Sequence, residues 1–201
     1  MGMTSAYAVL KPLTMVLAFA CVAMVARHSG RPIAFWLLMS GLFFSMVGDV
    51  FLLTEQRFIP GLIAFLIAHL CYIALFTRQA PWFANKTALV CCLGVGALIF
   101  SYLYSHGLPP AMQLPVATYV IVIAVMSAQA IGRAHILHTP AARCVAVGAL
   151  SFMVSDTVLA LNKFSFAVPY SFAAVLGTYY LAQWLIVHGM LDALRPDTSN
   201  K

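Results

Sequence analysis

Seven times along this chain the sequence stays apolar for the length of a membrane-crossing helix, at about residues 5–26, 33–53, 59–76, 87–104, 112–131, 143–161 and 167–191. A hydrocarbon core about 30 Å thick takes roughly 20 helical residues. Such a segment can enter lipid only if its backbone polar groups bond within it, so each stretch predicts an α-helix. The alternative, a β-barrel, needs alternating polarity in segments of about ten residues, and no such pattern occurs. The connections leave no room for a soluble domain. The expected fold class is therefore all-α, a polytopic transmembrane helical bundle of seven spans forming a single domain over residues 1–201. Only 8% of the residues are charged and 63% are hydrophobic, with a mean hydropathy of +0.97, whereas a soluble domain carries about a quarter charged residues.

Proline marks the boundaries. Pro12, Pro32, Pro60, Pro115 and Pro169 fall at or near the starts of spans, where a missing N–H costs little. Pro81, Pro109, Pro110, Pro140 and Pro196 fall in connections. Pro169 could split a short helix from the long last stretch, which would make eight spans.

Orientation follows from Lys and Arg in short loops. With the N-terminus outside, the inner side holds Arg27, Arg31, Arg78, Lys86, Arg133, Arg143, Arg195 and Lys201, and the outer side holds Lys11, Arg57 and Lys163. Eight against three accounts for the net charge of +6 without a nucleic-acid surface, so no nucleic-acid partner is expected. The first stretch is too long for a cleaved signal sequence and is read as retained. Cys21, Cys71, Cys91, Cys92 and Cys144 all fall in spans without metal-type spacing and read as small packing residues.

Within this apolar background two carboxylates stand out. The window "GLFFSMVGDVFLL" (Gly41–Leu53) aligns with "GALSFMVSDTVLA" (Gly148–Ala160), matching Gly, Met, Val, Asp and one Leu. Both windows end spans of the same direction, which suggests a parallel internal repeat with a site between its halves. Asp49 and Asp156 lie at the outer ends of these spans. His69 lies near mid-depth, Tyr119 two turns into its span, Tyr179, Tyr180 and Gln183 near the middle of the last, and Asn162 closes the sixth. Lys11 starts the first. Apart from His188 and small hydroxyl residues, the strongly polar groups of the spans occupy this outer half. An ionisable side chain in a span costs several kcal/mol unless it faces a cavity or a partner. The plainer reading, two aspartates solvated at helix ends, is weakened by the three or four apolar residues that follow each. Phe65, His69 and Tyr72 share one helical face, Tyr179 and Gln183 another, and Ser45 lies one turn below Asp49.

The segments "LKPL" at Leu10–Leu13, "GLFFSMVGDVFLL", "FIPGLIAFLIAHLCY" at Phe58–Tyr72, "GALSFMVSDTVLALNKF" at Gly148–Phe164 and "GTYYLAQWLI" at Gly177–Ile186 resemble the YhhN family of membrane proteins. The resemblance covers nearly the whole chain, with no signature from Arg78 to Gln113. It implies about eight spans and the activity of the family's characterised members, lysoplasmalogenases. These cleave the vinyl ether of lysoplasmalogen to a fatty aldehyde and glycerophosphocholine or glycerophosphoethanolamine.

The residues suit that chemistry. A vinyl ether hydrolyses by slow protonation of its β-carbon to an oxocarbenium ion, to which water adds before the hemiacetal collapses. The reaction asks for one protonated donor and one anion. Two carboxyl groups in unlike protonation states supply both, as in glycoside hydrolysis. Asp49 and Asp156 are thus the expected catalytic pair. Lys11, His69, Tyr119, Asn162, Tyr179, Tyr180 and Gln183 are the expected substrate-binding residues. Lys11 could balance the pair's charge or meet the substrate phosphate. No cofactor and no metal is expected: a zinc site wants three ligands with an open position, but His69 and His188 lie at different depths, and His135 and His138 lie in the inner loop. A proton-coupled transporter or lipid carrier is the rival that needs no catalysis. The expected partners are a lysophospholipid substrate and membrane lipid. The expected location is a bacterial inner (cell) membrane, with the site half on the non-cytoplasmic side.

Overall fold

The computed structural model describes residues 18–20, 22–24 and 32–194. Six helices long and apolar enough to cross a membrane lie among them. They are α1 (Pro32–Leu52), α2 (Phe58–Phe76), α3 (Lys86–Ser105), α4 (Pro110–Leu137), α5 (Pro140–Phe164) and α6 (Ser171–Leu194), with a 3-10 turn at Glu55–Arg57. They coincide with the second to seventh apolar stretches, and no strand occurs among the described residues. Of the first stretch, residues 18–20 and 22–24 are helical. Lys11, Cys21, Arg27, Arg31, Arg195 and Lys201 lie outside the described residues.

Local chemistry sets the helix ends. Asn85 accepts the Ala88 N–H at 2.9 Å to open α3, and Thr139 accepts the Ala142 N–H at 3.1 Å to open α5. Each N-cap oxygen thus satisfies an N–H that the first turn leaves orphaned. Helix α3 stops at Gly107, whose φ of +94° lets the Leu108 N–H turn back to the Leu103 carbonyl, the glycine-terminated ending common in helices.

Several boundaries depart from the sequence reading. Pro110 and Pro140 open helices rather than lying in connections, because proline's fixed φ suits a first helical position. Helix α4 starts five residues before Pro115, so that proline lies inside it. The same helix continues to Leu137 and carries Arg133 and His135 with it, so neither belongs to a loop. Pro169 does not split a helix: α6 begins at Ser171, after a turn in which the Ser171 N–H donates to the Val168 carbonyl.

The closest packing joins α1 to α2 and α5 to α6, while α4 sits between α2 and α5 with α3 along its flank. The two aspartate windows have a structural counterpart here. A Cβ at Gly41 would run into the Tyr72 ring of α2, and one at Gly148 would lie 2.9 Å from the Ala182 carbonyl and 3.0 Å from Leu185 Cβ of α6. Each matched glycine lets its helix approach the one that follows.

The surface is that of a molecule solvated by lipid. Leu114, Leu98, Val90 and Trp184 are exposed, at 77%, 73%, 69% and 61%, whereas Asp49, His69, Gln129, Arg133 and Gln183 are buried. Polar groups inside and apolar groups outside minimise free energy only where the surroundings are hydrocarbon.

Candidate active site

The polar groups gather at the end of the bundle that carries the turns at residues 53–57, 105–109 and 165–170. Asp49 lies one turn from the end of α1 and is buried. The Tyr179 hydroxyl of α6 donates to its Oδ2 at 2.7 Å. Asp156, two turns from the end of α5, accepts a short hydrogen bond from the Tyr119 hydroxyl of α4. Each carboxylate is thus met by a tyrosine from another helix.

Between these pairs lies an aromatic cluster. The His69 ring meets Tyr119 and Phe152 edge-on at 5.3 and 4.7 Å, and Phe152 meets Tyr179 at 5.3 Å. Phe65 closes the cluster against Phe152 and Tyr179. The shared face expected of Phe65, His69 and Tyr72 is therefore the inward face of α2. His69 is fully buried, and neither ring nitrogen meets a hydrogen-bond partner among the described residues.

On the far side of this cluster the polar chain continues from Asp49. Gln183 lies one turn below Tyr179, and its Oε1 accepts the Tyr72 hydroxyl at 2.8 Å. Ser45 lies beside that hydroxyl and one turn below Asp49. Asp49, Tyr179, Gln183, Tyr72 and Ser45 form a buried polar cluster drawn from α1, α2 and α6, joined by the Tyr179–Asp49 and Tyr72–Gln183 hydrogen bonds. The Gln183 Nε2 and Ser45 Oγ atoms are buried without hydrogen bonds. A buried amide N–H or hydroxyl left unsatisfied costs about 1–3 kcal/mol, which suits a place where water or substrate can bind. In the sequence Tyr72 stands out only through the helical face it shares with His69.

Asp156 faces a different setting. It borders a cavity of about 710 Å³, open mouth included, walled by Phe65 and Leu62 of α2, Ile99 and Leu103 of α3, Val116 and Ile123 of α4, and Met153 and Ala160 of α5. Tyr119 and Thr157 are the other polar side chains in its lining. The α3 wall comes from the stretch without any sequence signature.

The remaining expected site residues lie apart from the cavity wall. The Asn162 side chain is exposed and accepts the Val168 N–H at 3.1 Å, bracing the α5–α6 turn. Tyr180 is half-buried beside Tyr179, and Lys11 lies outside the described residues. No three His, Cys, Asp or Glu side chains among the described residues come together as metal ligands.

The expected confinement of polar groups to one half needs correcting. Gln129 and Arg133 are buried at the opposite end of α4. Gln129 Nε2 donates to the Pro81 carbonyl at 3.0 Å and its Oε1 accepts the Phe83 N–H, while Arg133 Nε donates to Gln79 Oε1 at 2.8 Å. These groups fasten the α2–α3 connection beneath the bundle.

The fold and the site define a polytopic helical membrane protein with two tyrosine-bonded carboxyl groups beside an apolar cavity. The chain belongs to the YhhN family, whose model matches residues 6–190. Among curated proteins it is 35% identical to human lysoplasmalogenase TMEM86A over 161 residues, 78% of this chain and 65% of that protein. It is 34% identical to rat lysoplasmalogenase TMEM86B over 160 residues, covering 80% and 62%. It is 29% identical to a lysoplasmalogenase of Mycobacterium bovis over 175 residues, covering 83% and 64%. The matched chain thus spans slightly under two thirds of these relatives' length. No solved structure matches it.

Proposed function

We propose that this chain is a lysoplasmalogenase, an ether hydrolase that adds water across the vinyl ether of a lysophospholipid and releases a fatty aldehyde and a glycerophospho-base. The observation that carries the reading is Asp156 with Tyr119 on the wall of an otherwise apolar cavity. The three relatives carry that activity in their names. An apolar cavity accepts the alkenyl chain, and its carboxyl group is where a proton is needed.

In the proposed sequence Asp156, in its protonated form, delivers a proton to the β-carbon of the alkene. The developing positive charge spreads over the ether oxygen and the α-carbon. Tyr119 fixes the carboxyl orientation through its hydrogen bond. Asp49, held by Tyr179 behind the Phe65 and Phe152 rings and outside the cavity lining, is the anion whose field stabilises the cation across that low-dielectric cluster. Water adds at the α-carbon and loses a proton to a carboxylate. That carboxyl group then protonates the glycerol oxygen as the C–O bond of the hemiacetal breaks, and the hemiacetal hydroxyl gives up its proton to leave the aldehyde. General acid–base contributions of this kind are typically about a hundredfold to ten-thousandfold.

The test offers purified protein in detergent three lysolipids side by side: vinyl ether, saturated alkyl ether and ester. Aldehyde should appear from the vinyl ether alone and persist in chelator, while the alkyl ether, which has no carbon to protonate, should inhibit competitively. Comparable cleavage of the ester would overturn the reading. So would loss of activity in chelator with recovery on adding zinc.

The site half is proposed to face the non-cytoplasmic side, on the eight-to-three distribution of Lys and Arg. His106 is exposed in the α3–α4 turn at the same end as both aspartates. In a background without native cysteines, His106→Cys should react with an impermeant thiol reagent in intact cells. Reaction only after the inner face is opened would reverse the orientation.

A further inference from the structure

Helix α5 lines the cavity with Met153, Asp156, Thr157, Leu159, Ala160 and Phe164, of which Asp156, Leu159, Ala160 and Phe164 are the i, i+3, i+4 and i+8 positions of one helical stripe. The i+7 position of that stripe is Lys163. Its ammonium lies 5.9 Å from the centre of the Phe58 ring, and Phe58 packs edge-on against Phe164 at 5.3 Å. Both of these rings line the cavity. Lys163 is exposed and lies two turns beyond Asp156 along α5, against a ring that lines the cavity, which sets it beside the cavity's edge. Arg57, also exposed, immediately precedes Phe58 on the same rim. It is the N-cap of α2 and makes no side-chain capping bond there, so the cationic rim coincides with the positive end of a helix dipole.

We infer that Lys163 and Arg57 form a phosphate subsite at the mouth of the cavity, which holds the head group of a single-chain lipid while the chain lies among the apolar walls. The inference rests on the reaction proposed above for the scale of the site. Seven residues of α-helix rise about 10 Å. In a lysoplasmalogen seven bonds separate the alkene β-carbon from the phosphorus, about 8 Å in an extended chain at roughly 1.2 Å per bond. The backbone positions of Asp156 and Lys163 are therefore separated on the scale of the two ends of one substrate, and the long lysine side chain spans the remaining distance to the phosphate. An anion also suits this rim because the cavity below offers a charged head group no other cation among its lining residues. The subsite reads the phosphate and not the amine beyond it, so choline and ethanolamine head groups should be bound nearly alike.

Steady-state kinetics of Lys163→Gln, Arg57→Gln and the double variant test this, with a choline lysoplasmalogen and the phosphate-free 1-alkenylglycerol of the same chain length. KM for the phospholipid should rise about tenfold in each single variant and further in the double, with kcat within twofold. KM for the phosphate-free substrate should not change, and Lys163→Arg should restore most of the phospholipid affinity. Equal KM changes for both substrates, or none for the phospholipid, would overturn the subsite. Equilibrium binding of the uncleavable alkyl-ether lysophospholipid, against its phosphate-free alkylglycerol, separates this idea from the reaction itself. If wild type cleaves neither vinyl ether, the proposed reaction falls. Phosphate-dependent binding that the variants lose would still support the subsite, and phosphate-independent binding would refute it.

Discussion

Asp49 and Asp156 come from matching positions of two similar windows, but the bundle gives them different surroundings. Asp49 is 1% exposed, bonded to Tyr179, and lies beside the buried polar side chains of Gln183, Tyr72 and Ser45. Asp156 borders an apolar cavity with Tyr119 and Thr157 as its polar companions. The partner tyrosines come from unrelated places, α6 in one case and α4 in the other. Two windows that pack alike, each glycine admitting the following helix, thus carry their carboxyl groups into different surroundings. One carboxyl group faces the space where a chain can lie, and the other is held in a fixed polar frame.

The largest effect that can break this division comes from the carboxyl groups. Asp156→Asn and Asp49→Asn should each lower kcat by about a hundredfold or more, measured as aldehyde release. The comparison adds that Asp156→Asn should leave inhibition by the alkyl-ether lysolipid unchanged. Near-wild-type turnover in either variant would dissolve the pair.

The tyrosines sharpen the contrast. Hydrogen bonds to charged groups contribute about 1.5–3 kcal/mol. Tyr119 donates to a carboxyl group that acts in its neutral form, for which the contribution is about 0.5–1.5 kcal/mol. Tyr119→Phe should therefore cost about twofold to tenfold in kcat, with little change in thermal stability, since its carboxyl partner borders an open cavity. Tyr179→Phe removes a donor from a sealed carboxylate, and should lower the melting temperature as well as activity. Equal stability losses in the two variants would mean that the sites are not differently enclosed.

Next in size is the Tyr72–Gln183 pair. Tyr72→Phe leaves the Gln183 amide oxygen without its donor and should destabilise by about 1 kcal/mol, read as a lower melting temperature, with a smaller loss of activity than either tyrosine bound to a carboxylate. The smallest effect belongs to the glycines. Gly41→Ala meets the Tyr72 ring and should destabilise measurably, whereas Gly177→Ala on α6 has nothing within 4 Å of the new Cβ. That substitution should be neutral or slightly stabilising, since alanine favours a helix over glycine by up to about 1 kcal/mol.

The spans were legible because lipid imposes one length and one polarity on each helix, and the six described helices follow it closely. The helix ends were less so: Pro110, Pro140 and Arg133 read as connection residues because apolarity fades before the hydrogen-bond ladder does. Asp49, Asp156, His69, Tyr119, Tyr179 and Gln183 could be singled out as polar residues in apolar runs. Which tyrosine meets which aspartate could not, because it depends on how α4 and α6 are rotated about their axes. The α3 wall gave no signal because Ile99 and Leu103 look the same facing a cavity as facing lipid. Asn162 was drawn in by its nearness to Asp156 along the chain, yet its side chain turns outward to the Val168 N–H.

Gln129 and Arg133, which stitch the α2–α3 connection beneath α4, matter for more than that connection. A membrane that stores a proton gradient can tolerate a protonatable pit on one face only if the floor beneath it is an insulator. The Gln129 amide pinned to the Pro81 carbonyl, and the Arg133 guanidinium pinned to Gln79, set a fixed positive charge in that floor. A charge of that sign opposes the entry of protons and hydronium from the end of the bundle that lies opposite the two aspartates.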